Sequence, residues 1–419
     1  MTDPTDPGPT DPGPTDPGST DKAPTRSLAT RVQHPPLVVV PADNRPLNAP
    51  IQQNVKWDTT TVAESQRIAR GERAGFFYSR MSNPGTRQLE LLLAELQGRQ
   101  DCLTCASGIN AVAQVLLALT RQGDHVVSFV EGYGPTRQLL RGLLTRFGVA
   151  HTLLPLEDHE GLAAVLASRP TRLVFFESPT TPAGKIADVG VITSLAHRFG
   201  ALAVLDNTQA GFHQHGEYPV DIFVHSLTKF ATGVGDVMGG AVIADHAVMA
   251  KIRPDMRLFG APLDPLAASL MVRGLKTYFL RYREQSAAAT EIARFLESHP
   301  ACSRVMHPGL GSHPQAALAR AQMREPGCVI TFSLQGGIEA GRRFADALRL
   351  FARTPSYGST ESLVMAPQMM QPQDFSPEER AVCGIDEGSV RLSIGLEDLG
   401  ELRADLAQAL AQAAVTSRP

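Results

Sequence analysis

The sequence predicts an α/β fold: a mainly parallel sheet covered by helices, followed by a smaller α+β domain. Three observations predict it. From about residue 80 to 245, short apolar runs alternate with amphipathic helical stretches, the pattern of strand-helix-strand units. Polar residues close several of those runs, with Glu177, Asp206 and Ser226 each at the end of one. In open sheets of this kind ligands gather beyond the carboxyl ends of the strands. After about residue 260 the alternation gives way to a long helical stretch and then to further strands.

Taken in order, strands are predicted at 102–106, 125–130, 172–177, 201–205, 222–226 and 240–244, and helices at 86–97, 109–121, 136–147, 160–168 and 188–199. Beyond them the pattern predicts helix over roughly 264–298, a strand at 328–333 and a last helix from about 398. In that last helix Leu399, Leu402, Leu406 and Leu410 share a helical face and read as core.

A chain of 419 residues with 43% hydrophobic residues can bury a large core. The net charge of −3, with Lys and Arg spread along the chain, excludes the basic patch that nucleic acid or an anionic membrane requires. No apolar run reaches bilayer length, and the N-terminus has no basic and apolar leader, so a cytoplasmic location is expected. Five cysteines, an odd number in a long chain, fit free thiols rather than a disulfide framework. Residues 2–20 repeat Thr-Asp-Pro-Gly with small variations. Such a stretch has nothing apolar to bury, and 1–35 is expected to be a disordered tail.

Lys229 lies in DIFVHSLTKFATG, just after an apolar strand. Alone it could be a solvated loop lysine. Asp206, closing ALAVLD, changes the reading, since a carboxylate there can keep a pyridinium nitrogen protonated and so turn the ring into an electron sink. A lysine amine can form an imine and carry protons. In CASGINAV (105–112), Ser107-Gly108 follows a strand and opens a helix whose free N–H groups suit a phosphate. Together these features specify pyridoxal 5′-phosphate (PLP). Cys102-Leu-Thr-Cys105 has redox or zinc spacing but no second pair, and reads as buried thiols. His213-Gln-His215 is a lone pair in an expected loop without nearby carboxylate partners, so no metal is expected. GVGDVMGG (233–240) has the wrong glycine spacing for a dinucleotide loop.

At this point the chain resembles the Cys/Met-metabolism family of PLP enzymes, which includes cystathionine γ-synthase, cystathionine lyases, O-acylhomoserine sulfhydrylases and methionine γ-lyase. The likeness runs from about Pro50 to Glu397, through YSRMSNP (78–84), EGYGPT (131–136), ESPTTP (177–182), DNT (206–208), HSLTKF (225–230), RGLKT (273–277), HPGL (307–310), SYGSTESL (356–363) and RLSIGLED (391–398). It implies a fold-type I PLP architecture with a seven-stranded sheet. The implied parts are an arm at 36–80 contacting a neighbouring subunit, a PLP-binding domain at 81–262 and a substrate-binding domain at 263–419. Catalytic roles fall to Lys229, Tyr133, Asp206 and Tyr78. Lys229 would bind PLP as an imine and act as acid and base, Asp206 would pair with the ring nitrogen, and Tyr133 would stack on the ring. Gly108, Ile109, Ser226 and Thr228 would hold the phosphate, with Thr208 beside Asp206. Tyr78 and Arg80 would reach the phosphate of a neighbouring subunit in a homotetramer. Arg391 would clamp an amino-acid carboxylate, helped by Ser356 and Thr181; a guanidinium suits this task through two parallel charge-assisted bonds.

Several positions depart from the family pattern. Thr181 stands where an asparagine amide is usual, and Gly85 replaces a threonine, leaving Thr86 as a substitute helix cap. Val234-Gly235 replaces His-Ser, and Pro135 occupies the place of the reactive cysteine of methionine γ-lyases. QMMQP (368–372), including Gln371, replaces a hydroxyl-bearing segment. The cofactor side is retained and the substrate side altered. The expected activity is PLP-dependent β/γ-elimination or γ-replacement on a sulfur amino acid or O-activated homoserine. The alternatives are a specialised γ-replacement that makes a non-standard amino acid, and a catalytically silent scaffold.

Overall fold

A computed structural model describes residues 43–44, 46–370 and 375–414. The tail expected at 1–35, the first residues of the 36–80 arm, and Gln371 lie outside the described residues. The chain divides into two units, Met1–Ala49 and Pro50–Pro419. In the first, the described residues form neither helix nor strand. The second carries all the elements that follow.

It opens with α1 (Val62–Ala69) and α2 (Pro84–Gln97). Then come β1 (Asp101–Cys105), α3 (Gly108–Leu119), β2 (His125–Phe129), α4 (Gly134–Gln138), β3 (Ala150–Leu154), α5 (His159–Ser168), β4 (Leu173–Glu177), α6 (Val189–Arg198), β5 (Leu202–Asp206), β6 (Ile222–Ser226) and β7 (Gly240–Ala244). Helices α7 (His246–Phe259), α8 (Pro265–Leu275) and α9 (Tyr278–Glu297) lead onward. The remainder is β8 (Cys302–Met306), α10 (Ala316–Gln322), β9 (Val329–Leu334), α11 (Gly337–Ala347), β10 (Ala352–Arg353), β11 (Leu363–Met365), α12 (Pro367–Met370), α13 (Pro377–Cys383), β12 (Ser389–Ser393) and α14 (Leu399–Ala414).

Among the described residues the strands form two sheets. The larger has seven strands in the order β1-β7-β6-β5-β4-β2-β3, and only β7 runs against its neighbours. Successive side chains of a strand point to opposite faces. Val174 and Phe176 accordingly enter one core with Leu89, Leu93 and Ile192, while Leu173 and Phe175 enter another with Val112, Val115 and Met249. Burial on both faces explains why these strands are nearly all apolar in sequence. The smaller sheet, β10-β11-β12-β9-β8, is mostly antiparallel and packs against α9, α11 and α14 in a separate core. There Leu402, Leu406 and Leu410 are fully buried, as their spacing predicts, while Leu399 is only partly buried.

The differences from the sequence pattern have physical reasons. Strand β3, unassigned by that pattern, is an edge strand with no fully buried residue, so its apolar signal is diluted. The helix predicted at 136–147 begins at Gly134 and widens into a π-helical turn over Leu139–Leu144. The stretch 264–298 is two helices, interrupted at Lys276-Thr277. The preceding α7 was not predicted; Pro254, a helix breaker by composition, lies inside it. Thr86 does not cap α2: Asn83 does, its side chain accepting from the Gly85 N–H, while the Thr86 hydroxyl donates to the Asn83 carbonyl.

Candidate active site

Because β4, β5 and β6 are parallel, their carboxyl ends share one edge, with Glu177 opposite Asp206 in register. β1 ends at the same edge, where Cys105 faces Gly240, and leads through Ser107 into α3. A cavity of about 460 Å³ opens there, lined by Ser107, Gly108, Ile109, Tyr133, Asp206, Thr208, Ser226, Thr228 and Lys229 from the large-sheet side. Ser356, Tyr357, Met365, Met369, Met370 and Arg391 line its other side.

Lys229 follows β6 in a tight turn, and its Nζ donates to Ser356 Oγ at 2.9 Å. The amine lies 5.1 Å from the centre of the Tyr357 ring. Burial, then the positive charge of Arg391, lowers its pKa to about 8, against the opposing pull of Asp206. Asp206 Oδ1 accepts from the Thr208 N–H at 3.1 Å and from its hydroxyl at 2.5 Å. The Thr208 hydroxyl accepts in turn from the Ser226 N–H at 2.9 Å, so β5 and β6 are tied together at the carboxylate. Burial raises the Asp206 pKa, opposed by the Thr208 bonds and the Lys229 charge.

The phosphate-sized end of the cavity is built by α3. Ser107 is its N-cap and satisfies the Asn110 N–H at 3.2 Å. The Gly108 and Ile109 N–H groups lie in the first turn, which a helix cannot satisfy from within. A Cβ at Gly108 would stand 2.5 Å from Ser226 Cβ, so the close approach of the helix end to β6 requires glycine. Ser226 and Thr228 line the same cavity.

Arg391 sits on β12 between Thr331 and Met365 of the neighbouring strands. Its Nη2 donates to the Ser356 carbonyl at 3.0 Å, and burial lowers its pKa. Ser356 therefore joins Lys229 through its hydroxyl and Arg391 through its carbonyl. It does so with a left-handed φ of 139°, a conformation that costs a non-glycine residue energy and that clusters at functional sites. Thr181 lines the cavity, but its hydroxyl donates to Gln209 Oε1 at 3.2 Å.

Of the residues singled out in the sequence, Tyr78 and Arg80 lie elsewhere. They share a groove with Pro262 and Leu263, Tyr78 is 40% exposed, and Arg80 donates to the Arg257 carbonyl at 2.7 Å. Lining residues that were not singled out include Arg137, Tyr357 and Met365. Tyr357 lies inside the recognised motif SYGSTESL, whereas Arg137 lies in a stretch that reads as an ordinary helix turn. His213 does have a carboxylate partner, contrary to the sequence reading. Its Nε2 meets Glu325 Oε2 at 2.8 Å, supplied from 112 residues away. No group of three or more metal-capable side chains occurs among the described residues. Cys102 and Cys105 are buried, and burial pushes the Cys105 thiol up to about 12.

The donor set fits PLP. A partly buried lysine with its pKa lowered to about 8, a buried carboxylate across the cavity and a glycine-opened helix end match its aldehyde, ring nitrogen and phosphate. The model of the Cys/Met metabolism PLP-dependent enzymes matches residues 40–411. L-methionine gamma-lyase of Pseudomonas putida is 41% identical over 86% of this chain and 92% of its own length. Cystathionine gamma synthase from Xanthomonas oryzae pv. oryzae, solved with aminoacrylate and cysteine, superposes with a TM-score of 0.82 at 33% identity, covering 87% of this chain and 93% of its own. A putative O-acetylhomoserine (thiol)-lyase from Campylobacter jejuni subsp. jejuni, which carries a pyridoxyl-lysine phosphate, gives 0.84 at 29% identity over 88% of this chain and 96% of its own.

Proposed function

The chain belongs to the Cys/Met metabolism family of PLP-dependent enzymes, and from that premise we propose that it removes or replaces the γ substituent of a homoserine-derived or sulfur-containing amino acid. The observation that carries this reading is the Lys229–Ser356–Arg391 chain. It sets a proton-carrying amine beside a carboxylate-binding guanidinium, with Asp206 across the same cavity.

PLP, when bound, supplies an electron sink that acidifies the substrate carbons next to its nitrogen. The chain's own residues do the rest. Asp206 would hold the ring nitrogen, Tyr133 would cover the ring, and Gly108, Ile109, Ser226 and Thr228 would hold the phosphate. Arg391 would fix the substrate α-carboxylate by two parallel bonds, which points the α carbon toward Lys229. With a pKa near 8, the Lys229 amine can both take and return a proton near neutral pH. The carbonyl of Ser356 orients Arg391 while its hydroxyl orients Lys229. Tyr78 and Arg80 would serve a partner subunit's cavity, and an oligomer with shared sites follows. The five free thiols support action in a reducing compartment.

Replacement is favoured over simple elimination by the wall of Met365, Met369 and Met370 and by Pro135 beside Tyr133 and Gly134. Thioether side chains adapt to varied apolar shapes and keep water from the reacting carbon. The test is to incubate the protein with O-acetylhomoserine, O-succinylhomoserine, cystathionine, methionine and cysteine, with and without an added thiol, and to identify products by mass spectrometry. A new amino acid formed only with the nucleophile supports replacement. A 2-oxo acid formed equally well without it supports elimination, and turnover of none of them contradicts the proposal.

A further inference from the structure

Glu177 ends β4 in register with Asp206, and two carboxylates so placed cannot both stay ionised in a buried site. Asp206 has the better claim to the charge, with two Thr208 donors and Lys229 nearby. Glu177 is only 4% exposed, and its Oε2 has no hydrogen-bond partner among the described residues. Burial, then the Asp206 charge, pushes Glu177 well above the usual carboxylate range.

The hydroxyl inventory points the same way. Thr181 has one hydroxyl proton, and it goes to Gln209 Oε1, which can only accept. The Thr181 side chain also lies beside Glu177, and a hydroxyl proton given to Gln209 is not available to stabilise a glutamate anion. The other groups facing Glu177 are the Tyr133 N–H, the Arg137 and Arg391 guanidiniums, whose charges oppose the rise, and the Tyr133 and Tyr357 rings.

A second buried polar atom, Thr136 Oγ1, also has no partner among the described residues. Glu177 and Thr136 line one small chamber behind Tyr133, together with Gly132, Arg137 and Thr180. Its volume is about 10 Å³, close to the minimum of roughly 10–15 Å³ for one water, which needs at least two polar partners.

We infer that Glu177 is a positioning residue held as an uncharged acid, bridged to the Thr136 hydroxyl by one buried water behind Tyr133. The neutral acid leaves Asp206 as the charged carboxylate of the site, and the water braces the turn that carries Tyr133. Because Thr181 spends its proton on Gln209, this hydroxyl does not copy the donor role of the amide it replaces. The inference does not depend on which substituent the enzyme transfers.

The experiment combines infrared spectroscopy and crystallography on the full-length protein, with and without PLP. A protonated carboxyl band is expected at neutral pH, lost in Glu177→Gln and retained in Thr136→Ser. A high-resolution crystal structure is expected to show one water between Thr136 and Glu177. That water should be kept in Thr136→Ser and Glu177→Gln, and lost in Thr136→Val. A protonated band that persists in Glu177→Gln places the proton on another group and overturns the inference. Absence of the band in the parent, or a dry chamber, also overturns it.

Discussion

Lys229 is held between two opposing influences, burial with the Arg391 charge on one side and Asp206 on the other, and the first prevails. Its pKa of about 8 lies below the ordinary 10.5 that the unfolded chain keeps. Below about pH 8 both states carry the proton and folding bears the whole penalty; between about 8 and 10.5 only the unfolded state binds it, so stability rises with pH. In the cofactor-free protein, Lys229→Met is therefore expected to stabilise at neutral pH, by at most about 3 kcal/mol. That gain should shrink as pH rises from about 8 toward 10.5, followed by denaturant melts at several pH values; a pH-independent difference would contradict it. For Arg391→Lys, loss of the paired bonds should raise the substrate KM by roughly 10- to 100-fold, with a smaller change in kcat. Lys229, Asp206, Ser356 and Arg391 were legible in the sequence because each stands inside a local motif. Arg137 and the Glu325 partner of His213 were not, because only tertiary packing brings them to their places.

At the scale of elements, the site depends on how closely the N-terminus of α3 approaches the end of β6. Gly108→Ala puts a methyl 2.5 Å from Ser226 Cβ and must push the helix end away from the strand. PLP affinity, measured by titrating the cofactor-free protein, is expected to fall by about tenfold or more, as when one charge-assisted bond is lost. Unchanged affinity would mean that the phosphate is held elsewhere. The central strands were readable because burial on both faces makes them continuous apolar runs. Strand β3 escaped because an edge strand keeps half-exposed residues, and α7 because Pro254 interrupts its composition.

At the scale of the whole molecule, Lys229 follows the large sheet and Arg391 belongs to the small one, and Ser356 links the two. Tyr78 and Arg80 face a groove away from that cavity, and our reading gives them to a partner's site. Arg80→Ala and Lys229→Ala should each be inactive alone, while mixed and reassembled subunits should regain part of the activity. No recovery on mixing would assign Arg80 to its own chain. Such a shared arrangement would not be readable from local pattern, because the residues concerned would meet only in an assembly. The central claim is that Lys229 carries PLP, and borohydride reduction of the loaded protein followed by peptide mass spectrometry tests it most directly. The expected result is a pyridoxyl phosphate adduct on the peptide containing Lys229; an adduct on another lysine, or none on a protein that retains PLP, would contradict it.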